Sequence, residues 1–223
     1  LIMTNDIVKT NLLRLKKEIE PYTPRIIAVT KYYDVSAILE AYEAGLRDFG
    51  ESRANDAIKK IQSLPDEIRS SSEFHFIGHL QTNKVDKVVK YFDYIQSVDS
   101  LHVAQAISAS ASKLGKEQKI LLQVNISGEV QKFGFEESEL DKQMEELKNL
   151  QGIKMEGLMC MAPLGASDEE LDNVFSKAKA VLENLNKKYE LKMNELSMGM
   201  SDDYKRAVVN GATMIRIGRL LFN

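Results

Sequence analysis

The residues best placed to do chemistry are a lysine, two arginines and a serine–glycine turn. Lys31 ends the run Arg25-Ile26-Ile27-Ala28-Val29-Thr30-Lys31, which is short, apolar and rich in β-branched residues. Such a run reads as a buried strand. A lysine amine at its end could condense with an aldehyde to form a Schiff base. Far along the chain, Ser197-Met198-Gly199-Met200-Ser201-Asp202-Asp203 precedes a short helical segment, and Arg216-Ile217-Gly218-Arg219 closes the last apolar run. Ser201 stands where that helix should begin, a good N-cap position with open N–H groups behind it. Gly199 and Gly218 let the backbone approach a ligand closely, and Arg216 and Arg219 add positive charge. Together these are the parts of a phosphate site. Taken one by one, they also fit a solvent-facing lysine, a capped helix and surface arginines.

Other apparent motifs carry less. His75 and His79 have the spacing of a helical metal pair, but Phe74 to Ile77 reads as a strand and no third ligand is near, so no metal is expected. The stretch Gly78 to Lys84 resembles a phosphate-binding P-loop, but Asn83 and Val85 break the pattern. Six of the nine methionines fall between positions 155 and 200. Methionine clusters fill cores, and they can also wall a flat ring's pocket. No Ser/His/Asp set announces itself, and Cys160 has no activating neighbour in sequence, so no catalytic residue is assigned.

These groups must be positioned by the elements between them. A first helix is expected over 4–19, ended by Pro21 and Pro24. Strands are expected at 25–31, 47–51, 73–78, 94–98, 119–126, 153–158, 195–197 and 213–217. Helices separate them at 35–44, 53–63, 82–91, 101–114, 136–149, 168–188 and 202–210. Strict β–α alternation implies a parallel sheet. Eight units in 223 residues fit a single α/β domain over 1–223, a (β/α)8 TIM barrel with an extra N-terminal helix. A doubly wound open sheet is the alternative. In a barrel the ligand site lies at the C-terminal strand ends, where Lys31, His79, Asn125 and the 197–203 and 216–219 stretches all fall.

The net charge of −3, with no long run of either sign, argues against bulk attraction to nucleic acid or an anionic membrane. The single cysteine excludes an internal disulfide framework and fits a reducing compartment. The N-terminus lacks a signal-peptide core, and no stretch has the apolar length of a membrane span. A cytoplasmic protein is expected.

Several stretches resemble the YggS/PROSC family of pyridoxal phosphate homeostasis proteins. They are Ala28-Val29-Thr30-Lys31, Phe49-Gly50-Glu51, His75 to Lys84, Val124 to Ser127, Gly157 to Pro163, Leu196 to Asp203 and Ile215 to Gly218, in the family's order and over nearly the whole chain. The resemblance implies a barrel like the N-terminal domain of alanine racemase. It implies pyridoxal 5′-phosphate as cofactor, tethered by Lys31 as a Schiff base. It implies Arg216 at the pyridine nitrogen, Ser201, Gly218 and Arg219 at the phosphate, His79 and Met198 near the ring, and Asn125 with 159–163 at the barrel mouth. Three positions depart from the family pattern: Ser52 replaces the usual Asn, Tyr32-Tyr33-Asp34 replaces an early proline, and Arg219 replaces a small hydroxyl residue. A guanidinium at 219 could bind phosphate bidentately.

The resemblance further implies a carrier without turnover. Racemisation needs a second base on the opposite face of the substrate. Asn223 comes directly after the last strand, so the racemase's additional domain is expected to be missing. An arginine at the pyridine nitrogen weakens the ring as an electron sink. The expected role is vitamin B6 homeostasis and amino-acid balance, with apo pyridoxal-phosphate enzymes as recipients and the protein a monomer. The alternatives are a minimal racemase or decarboxylase and, with no cofactor, a Schiff-base aldolase.

Overall fold

A computed structural model describes residues 7–129 and 133–223. Residues 4–6 of the expected first helix lie outside the described residues. The strands are β1 (Arg25–Val29), β2 (Asp48–Glu51), β3 (Glu73–Phe76), β4 (Tyr94–Val98), β5 (Gln118–Gln123), β6 (Ile153–Met159), β7 (Glu195–Ser197) and β8 (Met214–Ile217). They close into a barrel in chain order. Every neighbouring pair is parallel, and β8 returns to β1 with Ile26 opposite Ile215 and Ile27 opposite Arg216. That closure excludes the open-sheet alternative and brings the lysine strand beside the arginine strand.

The helices are α1 (Ile7–Glu18), α2 (Val35–Glu43), α3 (Ala54–Ser63), α4 (Asp66–Ser70), α5 (Val85–Tyr91), α6 (Leu101–Lys113), α7 (Glu137–Lys148), α8 (Asp168–Tyr189), α9 (Tyr204–Val209) and α10 (Arg219–Phe222). Helix α8 shows how local sequence sets an element. Ser167 and Glu170 form a reciprocal capping box at its start. Leu171, Phe175, Ala178, Leu182 and Leu185 then bury one face at helical spacing.

Several elements differ from expectation, β1 and β3 each ending two residues early among them. The loop after Pro65 contains α4, whose first turn carries Asp66 and Glu67, the sign a helix N-terminus favours. The expected helix 82–91 divides into a 3-10 turn at Thr82–Lys84 and α5. Strand β5 stops at Gln123, so Asn125 and Ile126 lie beyond it. Helix α10 begins directly after β8.

Strand alternation makes two cores. Most apolar residues pack between sheet and helices, and a smaller cluster of Ile27, Tyr94, Leu121, Met159 and Met214 fills the barrel's interior. On β1, Ile26 and Ala28 belong to the outer layer and Ile27 to the inner one. None of the described helices is long and apolar enough to cross a membrane.

Candidate functional site

Strand β1 ends at Val29, and Lys31 sits in the turn that comes next. It is half-buried there, two residues past the end of the strand. The turn is held from below by Lys60 of α3, which donates to the carbonyls of Thr30 at 2.9 Å and Tyr33 at 3.0 Å. Lys60 also pairs with Glu51, which accepts from Thr30 Oγ1 at 2.6 Å. Glu51 is only 1% exposed and Lys60 14%. A buried ion pair is thus devoted to fixing the backbone beside Lys31. The Lys31 ammonium lies 4.9 Å from the ring centroid of Tyr32, itself exposed. Tyr33 turns away: its hydroxyl donates to Asn223 Oδ1 at 3.1 Å and its ring packs on Phe222.

Arg216 is buried in the barrel's interior. Its guanidinium donates to Ser197 Oγ at 2.7 Å and to the Cys160 carbonyl at 3.0 Å. Burial pushes the group below its ordinary value, and the neighbouring Cys160 and Asp203 work against that shift. Burial also raises the Asp203 carboxyl, against the hydrogen bond it accepts from the Met200 N–H. The Arg216 N–H bonds to the Gly199 carbonyl at 2.9 Å, tying β8 to the turn after β7. Gly199 sits at φ +96°, and a Cβ there would lie 2.6 Å from Ala207 Cβ. A Cβ on Gly218 would lie 3.2 Å from the Val29 carbonyl oxygen, so this corner of the mouth is close-packed backbone. Arg219 pairs with Asp202 at 2.5 Å, bridging the turns after β7 and β8 on the exposed rim.

Ser201 is not the N-cap that its spacing suggested. Helix α9 begins at Tyr204 with Asp203 in the cap position. The Asp203 carboxylate accepts from the Met200 N–H at 2.6 Å and closes the turn first. Ser201 is left at the rim of that turn, partly buried. Met198 is not brought to the mouth. It packs in the outer layer among Leu196, Ile215 and Ala207, because Ser197 takes the inward position beside it. Asn125 is committed to its own loop, donating to the Glu129 carbonyl at 3.0 Å. His79 is at the mouth, 3.2 Å from Asp99 and stacked on Phe133 with ring centroids 4.0 Å apart. Met159 lies in the inner cluster with Met161 packed against it, so part of the methionine run does face the interior.

Sequence reading passed over Lys60 and Gln96, and gave Glu51 no role. A glutamine inside the apolar strand Tyr94 to Val98 was the available signal, since a buried amide demands partners. At the base of the barrel, Asp48, Glu73 and His75 bring ligand atoms within 4.8 Å of one another. Arg25 bonds both carboxylates there and Lys119 bonds Glu73, so side-chain cations already neutralise the cluster. His75 and His79 are therefore apart, one in the interior and one at the rim.

A family model described as alanine racemase, N-terminal domain matches residues 4–223. The chain is 41% identical over 202 residues to the pyridoxal phosphate homeostasis protein of Synechocystis, covering 91% of this chain and 92% of that protein. It is 34% identical over 200 residues to the protein of the same name from Escherichia coli K12, covering 88% and 84%. Among solved structures, PipY of Synechococcus elongatus with PLP bound superposes with a TM-score of 0.88 at 37% identity, covering 97% of this chain and all of that one. An alanine racemase from Clostridium difficile superposes with a TM-score of 0.80 at 17% identity over 98% of this chain and 56% of the racemase. At that identity the likeness is one of fold.

Proposed function

This chain belongs to the YggS/PROSC family of pyridoxal phosphate homeostasis proteins, and from that premise we propose that it binds pyridoxal 5′-phosphate and holds it without turnover. The observation that carries the reading is a buried, doubly hydrogen-bonded Arg216 on β8 beside β1, the strand whose following turn carries Lys31. The residues present fit the cofactor. An amine, a buried cation and two glycine-lined turns converge on one mouth, where a Cβ at 218 would crowd the Val29 carbonyl. Lys31 would tether the aldehyde carbon as a Schiff base, the chemistry this cofactor supplies. Ser201, the Gly218 backbone and Arg219 would hold the phosphate, with Asp202 as the anion that phosphate displaces from Arg219. Arg216 would face the pyridine nitrogen, and His79 with Phe133 would border the ring.

Absence of turnover rests on two features. A guanidinium at the pyridine nitrogen keeps that nitrogen unprotonated and the ring a poor electron sink. Tyr33 is held against Asn223 and Phe222, and the tyrosine that lies beside Lys31, Tyr32, is exposed to solvent. We place the protein as a cytoplasmic monomer that buffers the cofactor and passes it to apoenzymes. The competing reading, a minimal amino-acid racemase or decarboxylase, draws on the Tyr32 phenol beside Lys31.

The test is borohydride reduction after incubation with pyridoxal 5′-phosphate, then peptide mass spectrometry. Modification at Lys31 is expected, with none in Lys31→Ala. An adduct at another lysine, or none at all, sinks the assignment. Chiral chromatography of amino acids held with the loaded protein separates the two readings, since sustained inversion defeats the carrier.

A further inference from the structure

The interior of the barrel carries a row of buried polar side chains that the cofactor contacts do not use. Arg216 on β8 donates to Ser197 Oγ on β7 at 2.7 Å, and Ser197 Oγ donates across the lumen to Gln96 Oε1 on β4 at 2.6 Å. Gln96 Nε2 lies 3.0 Å from His75 Nδ1 on β3, and His75 Nε2 lies 2.9 Å from Asp48 Oδ1 on β2. His75, Gln96 and Ser197 have no accessible surface. Buried polar groups need partners, and one arrangement satisfies all of these. Ser197 already accepts from a guanidinium that has no acceptor, so its proton must go to the Gln96 carbonyl oxygen. The Gln96 amide nitrogen then points at His75 and requires a bare Nδ1. The His75 proton is left on Nε2, aimed at the Asp48 carboxylate. Turning the Gln96 amide over would strand the Ser197 proton in a dry interior.

We propose that His75, Gln96 and Ser197 are positioning residues: a one-way donor chain from the cofactor-facing Arg216 to Asp48 at the barrel floor that fixes the guanidinium in place. This rests on the cofactor reading above for what Arg216 faces. The chain itself belongs to the cofactor-free protein. Each link fixes the orientation of the next, and the far end is anchored because Asp48 also pairs with Arg25. His75 is held flat as well, stacked on Tyr94 at 4.6 Å and 8°.

The experiment is nitrogen NMR on 15N-histidine-labelled protein, with the His75 signal among the three histidines assigned by its loss in His75→Asn. Cofactor-free wild type is expected to show His75 neutral and protonated on Nε2. Ser197→Ala frees the Gln96 amide to turn, so the single tautomer is lost. In the same variant the dissociation constant for pyridoxal 5′-phosphate, read by absorbance titration, rises roughly tenfold, the share of one charge-assisted hydrogen bond. Lys31 remains the lysine that borohydride fixes. Ser197→Thr, which keeps a hydroxyl, restores both tautomer and affinity. A wild-type His75 protonated on Nδ1 or on both nitrogens overturns the chain, and this measurement needs no variant to fold. An unchanged tautomer and affinity in Ser197→Ala overturn it too. If the wild type takes up no cofactor, the reading of function fails, while the tautomer, measured without cofactor, still decides the chain.

Discussion

Replacing Lys60 by methionine tests the idea that a buried ion pair fixes the lysine turn. The substitution keeps the stem's volume and removes three interactions: the pair with Glu51 and the hydrogen bonds to the Thr30 and Tyr33 carbonyls. Glu51, 1% exposed, is left with the Thr30 hydroxyl as its remaining side-chain partner. Breaking a buried pair on one side costs about 3–5 kcal/mol. Lys60 keeps some solvent contact at 14% exposure, which places the expected loss near 3 kcal/mol, the low end of that range. For a chain of this length that corresponds to a fall in Tm of about 6–12 °C. Urea unfolding monitored by circular dichroism gives the number directly. The companion variant Lys60→Met with Glu51→Gln removes the stranded charge while keeping an acceptor for Thr30, and about 2 kcal/mol should return. A loss below about 1 kcal/mol in the single variant, or no recovery in the double, would show that the pair is not what holds this turn.

Other parts of the molecule give further expected outcomes. Gly157→Ala should cost about 3 kcal/mol or prevent soluble expression, because its Cβ would fall 1.7 Å from the Glu195 carbonyl oxygen on β7; a wild-type melting curve contradicts this. Phe175→Ala should cost about 3–5 kcal/mol in urea unfolding, since the ring is fully buried between α8 and the sheet. Asp48 is raised by burial but carried below its ordinary value of 3.8 by hydrogen bonds from His75 and Arg25. Its stabilisation is therefore complete above that value and fades as pH falls through and below it. Melting curves between about pH 5 and pH 2 should show a shallower acid loss in Asp48→Asn than in wild type, and parallel curves would refute it. Asp202→Asn should tighten pyridoxal 5′-phosphate binding by roughly threefold at low salt and by less at high salt, as expected for an exposed pair. The non-phosphorylated aldehyde should be indifferent to that change.

Some of this was legible in residues alone. The continuous apolar run from Ile26 to Val29 and the alternation of strands with helices specify a parallel sheet covered on both faces, which eight units turn into an expected barrel, and closure of β8 on β1 then excluded the open sheet. The mouth residues lie just past the C-terminal strand ends, so locating the strands was enough to find most of them. Local spacing in one case and the family resemblance in another met a different local structure, for identifiable reasons. Ser201 looked like an N-cap, but Asp203 competed for the same turn through the Met200 N–H. Met198 looked like a ring neighbour, but inward and outward faces depend on where β7 starts and stops, which three residues cannot announce. Asn125 lies two positions past the end of β5, and its amide is bonded to the Glu129 carbonyl in its own loop, a partner that spacing does not announce.

What the sequence determined by itself was the fold class and the two chemical poles, Lys31 near one end of the chain and Arg216 near the other. Hydrophobic period and residue type are local properties, so they survive without coordinates. What only the tertiary structure decided was which distant polar groups share the dry interior. Lys60 under the lysine turn, and Gln96 reaching Ser197 across the lumen, are partners 30 and 101 residues apart along the chain. Nothing in the spacing of either pair predicts the meeting. It is set by barrel closure, which leaves each buried donor only the acceptors that the opposite strands supply.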